Sequence, residues 1–407
     1  MKVLQINTSL NSSSTGKITH QISKIVTENR GDSYIAFSGR YNINKDIKES
    51  FRIGSKLDFY WHALMTRIFD RHGFGSIGST KKLVKKIESI QPDIIHLHNI
   101  HGYYINIEVL FNYLSLLKTP IIWTMHDCWA FTGHCTHFEF VGCSKWKNEC
   151  HNCPQKSSYP ASLIKDNSKE NFLNKKRLFN SPSKMTIVPV SSWLQNQLNH
   201  SFLKSYDSKV IRNGIDLEVF KFSESKEFIK EHKLQNKFIV LGVASVWTQR
   251  KGFYEFIKLS SKLNKDFAIV LVGVDYKLQK KLPKNIISIK KTSNQAKLAD
   301  IYSSANLYLN LTFEDTFPST NLESIACGTP VITYKTGGSS ETIEKSGGIV
   351  INQGDMGKLI KTLEKIKNKS LIMASKTDLR IFAEKNFNKD NNFDKYIKLY
   401  RSVLKAS

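Results

Sequence analysis

No stretch of this sequence holds the run of apolar residues needed to span a bilayer. The opening residues, Met1-Lys2-Val3-Leu4-Gln5-Ile6-Asn7, are too short and too interrupted for the hydrophobic region of a signal peptide. The expectation is a cytosolic chain, in peripheral contact with the inner face of the plasma membrane. Acidic residues are scarce: 35 Asp and Glu face 60 Lys and Arg, a formal charge of +25. Such a field favours anionic partners. Yet there is no single basic tail and no aromatic-rich basic strip, which argues against nucleic acid and for a generally basic surface. Cysteine is sparse, six residues in all, and in a reducing compartment these read as thiols or metal ligands, not as a disulfide framework. Apolar residues are not lacking: at 40% hydrophobic and 11% aromatic the chain fills globular cores, and 407 residues exceed one core, so two domains are expected.

Short β-rich runs alternate with amphipathic stretches, the pattern of parallel α/β sheets. Strands are predicted at Val3–Asn7, Tyr34–Phe37, Asp93–His98, Ile121–Met125 and Met185–Val190, with helices at Lys17–Asn29, Leu83–Ile90 and Ile107–Leu117. A second series has strands at Phe238–Ala244, Ala268–Val272, Ile286–Ile289, Leu307–Leu311 and Val331–Tyr334, with helices near Phe253–Leu263, Ala296–Ser303 and Asn321–Cys327. Helices at Met356–Ile366, Ser370–Asn386 and Asn391–Leu404 close the chain. The reading is a first domain over 1–212 interrupted by a Cys-rich insertion at 128–160, a second over 217–390, and a last helix at 391–407 that returns to the first.

Asn11-Ser12-Ser13-Ser14-Thr15-Gly16-Lys17-Ile18 invites comparison with a P-loop, but Asn11 stands where Gly is needed and Ile18 where Ser or Thr is needed. A nucleotide hydrolase is rejected. Gly16, at a helix N-terminus, still offers backbone amides to an anion; the alternative is a plain turn. More informative is Leu311 to Val331. A strand ends in Glu314 and Asp315, Pro318, Ser319 and Thr320 open a helix carrying Glu323, Gly328 closes it, and Pro330 opens the next strand. Ligands of open α/β sheets sit at the C-terminal strand ends, so Asp315 and Glu323 can face one crevice. Carboxylates there suit sugar hydroxyls, and the helix N-terminus suits a diphosphate.

This segment resembles the donor signature of glycosyltransferase family 4, retaining enzymes of GT-B fold, in which two acids are separated by seven residues, as Asp315 and Glu323 are. The resemblance extends to Arg212-Asn213-Gly214-Ile215-Asp216 as a hinge, Val243 to Gly252 with the basic pair Arg250 and Lys251, Gly337-Gly338 with Glu341, and His126-Asp127. Ser245 stands where many members carry Arg. The implied architecture is two Rossmann-like domains with parallel sheets facing a cleft. The implied roles give Arg250 and Lys251 to the diphosphate, Glu323 to the ribose, and His126 with Glu314 or Asp315 to the donor sugar, the choice between those two acids staying open. No catalytic metal is required. The implied reaction moves a sugar from a nucleoside-diphosphate sugar to a hydroxyl of a growing lipid-linked surface polysaccharide, with lipid-linked oligosaccharide as acceptor. Cys-Trp-Ala-Phe-Thr-Gly-His-Cys resembles a branch of exopolysaccharide and colanic-acid transferases.

Within the insertion Cys135, Cys143, Cys150 and Cys153 place four thiols on a polar loop beside His134, His137, His151 and Cys128. Four thiolates can enclose a structural zinc, which a long loop without its own core would need; free thiols packed under Trp129, Phe138 and Trp146 are the alternative. His96, His98 and His101 read as polar lining or packing, and Cys327 as core. The rival functions are an inactive scaffold or binding protein of the same fold, a zinc-stapled nucleic-acid binder, and a sugar epimerase.

Overall fold

A computed structural model describes residues 1–11, 13–40 and 49–406; Ser12 of the serine-rich loop and Ser407 lie outside it. The chain forms two compact units, Met1–Arg212 with Asp390–Ser407, and Asn213–Lys389.

The first unit is built on six strands: β1 (Lys2–Asn7), β2 (Asp32–Ser38), β3 (Ser50–Ile53), β4 (Ile94–Leu97), β5 (Ile121–Met125) and β6 (Met185–Pro189). They pair in parallel in the order β3-β2-β1-β4-β5-β6. Strands covered on both faces read as continuous apolar runs, and all four residues of β4 are buried. The helix Ser14–Glu28 starts three residues earlier than its apolar spacing suggests, because Ser13 caps it and accepts the Gly16 amide at 3.1 Å. Ile18, Ile22, Ile25 and Val26 line its inner face against Val3, Ile94 and Ile122. The helix Lys389–Lys405 lays Phe393, Tyr396, Ile397 and Tyr400 on the same cluster. Its tyrosines are satisfied as they are buried: Tyr396 shares a 2.9 Å bond with Thr124, and Tyr400 a 2.6 Å bond with His96.

The second unit repeats the plan with β7 (Phe238–Val243), β8 (Phe267–Val272), β9 (Ile286–Ile289), β10 (Leu307–Asn310), β11 (Val331–Tyr334) and β12 (Ile349–Ile351). The order is β12-β11-β10-β7-β8-β9, again all parallel. Its core joins Val240, Leu271, Leu309 and Ile332 to Phe253, Phe256 and Leu259 of the helix Phe253–Ser260. Side chains of this size, fully buried, each contribute about 1.5–3 kcal/mol. In each sheet the strand order reverses once, between β1 and β4 and between β10 and β7. Parallel strands on either side of such a reversal send their following loops apart, which leaves a crevice at the C-terminal ends.

Candidate functional site

The second crevice is walled by the loops that follow β7 and β10. After β7 the chain runs through Ala244 to Gly252. Trp247 is buried and donates its indole N–H to the Val272 carbonyl at 2.9 Å, which anchors the loop. Gly252 has φ +77°, and a Cβ there would lie 2.2 Å from the Leu311 carbonyl oxygen, so the two loops touch backbone to backbone. The Phe313 amide donates to the Arg250 carbonyl at 2.8 Å, sealing that contact.

Across it the side chains pair. The Lys251 ammonium lies 2.5 Å from Asp315 Oδ2. Arg250 donates from its guanidinium to the Glu314 carbonyl at 3.1 Å, with its Nε 3.7 Å from the Glu314 carboxylate. The two acids differ in access: the Glu314 side chain is 3% exposed and the Asp315 side chain 19%. Asp315 is the acid that opens outward. Its position is set from behind by the loop after β11. Gly338 donates to the Asp315 carbonyl at 3.0 Å, and a Cβ on Gly337, at φ +46°, would lie 1.8 Å from that oxygen. Only glycine permits this approach.

Pro318 is the N-cap residue of the helix Ser319–Ala326, which starts two residues before the expected Asn321. Ser319 donates to Glu323 Oε1 at 3.3 Å, and Tyr302 donates its phenol to Glu323 Oε2 at 3.0 Å. Thr320 shares a side-chain hydrogen bond with Tyr308. Asn321, fully buried, accepts from Asn310 at 2.8 Å and donates to Thr342 at 2.7 Å, tying the helix to β10 and to the short helix Ser339–Ile343. Cys327 is buried in the core as expected, and burial pushes its thiol up. Arg250, Lys251, Glu314 and Asp315 are thus brought together, with Pro318, Ser319, Thr320 and Glu323 on the adjoining helix. Cations beside a helix N-terminus and two accessible carboxylates form a site for an anionic ligand that also carries hydroxyls. Tyr302 was not legible beforehand, since nothing in its sequence neighbourhood marks it as the partner of Glu323.

In the first unit His126 follows β5. Its Nε2 lies 3.2 Å from His98 Nδ1, and His98 Nε2 is 3.1 Å from Gln5 Oε1. Burial pulls His126 down to about 4, so it is neutral at pH 7. Asp127 beside it pairs with His101 at 2.8 Å; against the upward push of burial, the His101 pair holds its carboxyl down to about 2. His96, His98 and His101 act as packing and lining, as the sequence suggested. The Gly16 amide donates to Ser13 Oγ, and the close approach of Ser9 Oγ and the Asn11 amide, 2.8 and 2.9 Å from an added Cβ, excludes a side chain there.

The insertion also departs from expectation. Cys135, Cys143, Cys150 and Cys153 line one small cavity together with His134 and His151. Yet among the described residues no group of three or more His, Cys, Asp or Glu side chains is placed to hold a metal ion. The thiols have other partners: Cys150 Sγ accepts the Gly133 amide at 3.2 Å, and a hydrogen bond between Cys135 and Cys153 raises the first thiol and lowers the second. The described residues therefore lend the structural zinc no support. The premise that the loop lacks a core was at fault, because Phe131, Phe138 and Trp146 pack with ring centroids 5.2 and 4.7 Å apart. Lys175, buried, donates to the Trp129 and Thr132 carbonyls at 2.9 and 3.0 Å and sits 3.5 Å from the Trp129 ring, fastening the loop to the unit.

Residues 48–219 match the family model described as Glycosyltransferase Family 4, and residues 224–386 match that described as Glycosyl transferases group 1. Among curated relatives, the chain is 22% identical over 301 residues to a putative colanic acid biosynthesis glycosyl transferase, WcaC of Escherichia coli K12, covering 72% of each chain. It is 25% identical over 241 residues to the capsular polysaccharide biosynthesis glycosyltransferase CapM of Staphylococcus aureus, covering 54% of this chain and 62% of that one. Among solved structures it is similar to sucrose-phosphate synthase from Thermosynechococcus elongatus, with a TM-score of 0.73, 14% identity and full coverage of both chains. It is also similar to Anabaena HepE in complex with UDP and glucose, with a TM-score of 0.68, 15% identity, and coverage of 99% of this chain and 100% of that one.

Proposed function

The chain belongs to glycosyltransferase family 4, and from that premise we propose that it moves a sugar from a nucleoside-diphosphate sugar to a hydroxyl of a growing, lipid-linked surface polysaccharide, with retention at the anomeric carbon. The observation that carries the reading is the Lys251–Asp315 pair across the β7/β10 reversal, at the foot of the Ser319–Ala326 helix. A bound diphosphate offers Lys251 a second anion, and the side chain, 27% exposed, is free to swing to it. Arg250 and the first amides of the helix add positive potential on the same side. Glu323, steadied by Tyr302 and Ser319, accepts from vicinal ribose hydroxyls, and Asp315 accepts from the donor sugar.

In the transfer step the bond from the anomeric carbon to the β-phosphate oxygen breaks, and its electron pair leaves with the nucleoside diphosphate. The acceptor oxygen bonds to that carbon on the same face, and its proton passes to the departing phosphate oxygen. Negative charge grows on the diphosphate, so preorganised cations lower the barrier there. His126, neutral, can take part in catalysis through a hydrogen bond and not through a charge. The lipid-linked acceptor is supported by the names of the colanic-acid and capsular relatives and by the charge of +25, which favours an anionic lipid carrier.

The test is a panel of nucleoside-diphosphate sugars. A donor at about a hundred times its Kd stabilises the folded protein by about 2.7 kcal/mol, a melting shift of several degrees. Release of nucleoside diphosphate should then depend on added lipid-linked acceptor, and the product linkage should keep the anomeric configuration. A protein that binds donors without releasing nucleotide under any acceptor is an inactive scaffold; one stabilised by none of them is not a transferase of this kind.

A further inference from the structure

The helix Lys56–Phe69 is apolar on two faces. Phe59, His62 and Thr66 are buried against the first unit. On the other side Leu57, Tyr60, Trp61 and Leu64 follow a helical stripe and are 80, 64, 62 and 45% exposed. The patch does not end with the helix. The Leu163 and Lys165 amides donate to the Arg67 and Ile68 carbonyls at 2.8 and 3.2 Å, which sets Leu163 and Ile164, each 65% exposed, beside its last turn. At the other flank His62 Nδ1 lies 2.9 Å from Ser76 Oγ, and the helix Ile77–Ile90 that starts there presents an exposed Ile77. Contiguous apolar surface with two aromatic side chains at its centre is uncommon on a free-standing protein, and it marks a contact surface.

We propose that this surface docks the protein on an anionic lipid bilayer. The rim decides the occupant. Lys56, Arg67, Arg71 and Lys165 are exposed around the stripe, and Lys165 sits 5.5 Å over the Phe69 ring. Lys82, close enough to Asp58 to help hold its carboxyl down, belongs to a helix that also exposes Lys81, Lys85 and Lys86. An apolar stripe with Trp and Tyr, edged by cations, fits the boundary between headgroups and acyl chains, where aromatic rings sit at headgroup depth and lysines meet lipid phosphate. A cavity of about 480 Å³ at the end of the helix is lined by Phe69, Arg71, Lys165 and Glu170 among others, and gives a headgroup phosphate room beside two cations. A second copy of the chain is the poorer occupant, because a two-fold contact through this face would set basic rims against each other. Docking needs no turnover, so it stands or falls separately from sugar transfer.

The experiment is sedimentation of the full chain with vesicles of phosphatidylcholine containing about a third phosphatidylglycerol, beside vesicles of phosphatidylcholine alone. The wild-type protein should bind the anionic vesicles, at least about tenfold more tightly than the neutral ones, and release with salt. A variant carrying Leu57→Ser, Trp61→Ser and Leu64→Ser should bind them at least about tenfold more weakly while its melting temperature and donor-dependent nucleotide release stay unchanged. Lys165→Glu should weaken anionic binding alone. Three results overturn the proposal: equal vesicle binding by the triple variant, no vesicle binding by the wild type, or a wild-type dimer that the variant converts to monomer, which would give this face to a second copy.

Discussion

Lys251→Ala is expected to slow sugar transfer by about 10²- to 10³-fold in kcat, the usual cost of removing one preorganised group from the site where charge develops. Two effects add. The departing diphosphate loses the ammonium that meets it, and Asp315, having lost the counter-charge 2.5 Å away, sets a less compensated negative charge near an anion. The second effect can be separated from the first. Lys251→Ala with Asp315→Asn should bind the nucleoside diphosphate better than Lys251→Ala alone, although transfer stays slow. Lys251→Arg should restore only part of the rate, because a planar guanidinium does not reproduce a point charge on a flexible stem. Glu323→Ala should act mainly through KM for the donor, by about tenfold, because its hydroxyl partners are bound equally in ground and transition states. Steady-state kinetics with the best donor decide it: unchanged kcat in Lys251→Ala removes Lys251 from the mechanism.

Acid is expected to unfold the first unit well above the pH at which ordinary carboxylates titrate. Burial holds His62 down to about 4 and His96 down to about 3, and both side chains are fully buried. Each is neutral in the folded protein and protonated in the unfolded chain below about 6.5. A depressed folded value contributes stability that is complete above 6.5 and is lost as pH falls toward 4 and 3. Two such groups give a slope of about 2–3 kcal/mol per pH unit within that window. That is a large share of the stability of a typical domain. His72 and His98, also held well down by burial, act in the same direction. His134 acts in the other: raised by its 2.6 Å pair with Asp70 despite burial, it stabilises at low pH and offsets part of the loss. Urea unfolding followed by tryptophan fluorescence reports mainly this unit, since Trp61, Trp123, Trp129, Trp146 and Trp193 belong to it and Trp247 alone to the other. A midpoint that falls steeply between pH 6.5 and 4 is the expected result. A flat midpoint there means that the buried histidines are already charged.

What the sequence revealed of this fold was what local periodicity encodes. Strands β5, β9 and β11 match their expected limits, because each is a short apolar run closed by a turn signal. Two helix starts drifted by six residues. Ser375 accepts the Asp378 amide at 3.1 Å and starts the Lys376–Phe387 helix six residues after the expected Ser370. Ile77–Ile90 begins six residues before the expected Leu83, where its first turn is polar and carries little period. The helix Lys56–Phe69 was missed altogether: with apolar residues on two faces, the 3.6-residue rhythm disappears into a nearly continuous hydrophobic run. β3 and β12 were missed: Ser50-Phe51-Arg52-Ile53 interleaves polar with apolar residues over four positions, and Ile349–Ile351 is only three residues long.

The proximity of the charged residues beside the β7/β10 reversal was legible because a parallel sheet concentrates them in two short loops, so that order along the chain stands in for proximity. Arg250, Lys251, Glu314 and Asp315 lie on neighbouring loops for that reason alone. Contacts that depend on packing between distant segments were not legible. Tyr302 on Glu323, Gly337 under the Asp315 carbonyl and Lys175 under the insertion all join residues with no shared pattern. The cysteine loop was read incompletely for a related reason. Ligand count is visible in a sequence, but the packing of Phe131, Phe138 and Trp146 is not.

The central claim is that the β7/β10 reversal of the second sheet holds the pyrophosphate of the donor. Diffraction from crystals grown with a nucleoside diphosphate locates that group directly. The account expects a phosphate within about 3 Å of Lys251 Nζ and of the first amides of the Ser319–Ala326 helix, with the ribose on Glu323. Nucleotide density elsewhere, with the Lys251–Asp315 pair undisturbed, contradicts it.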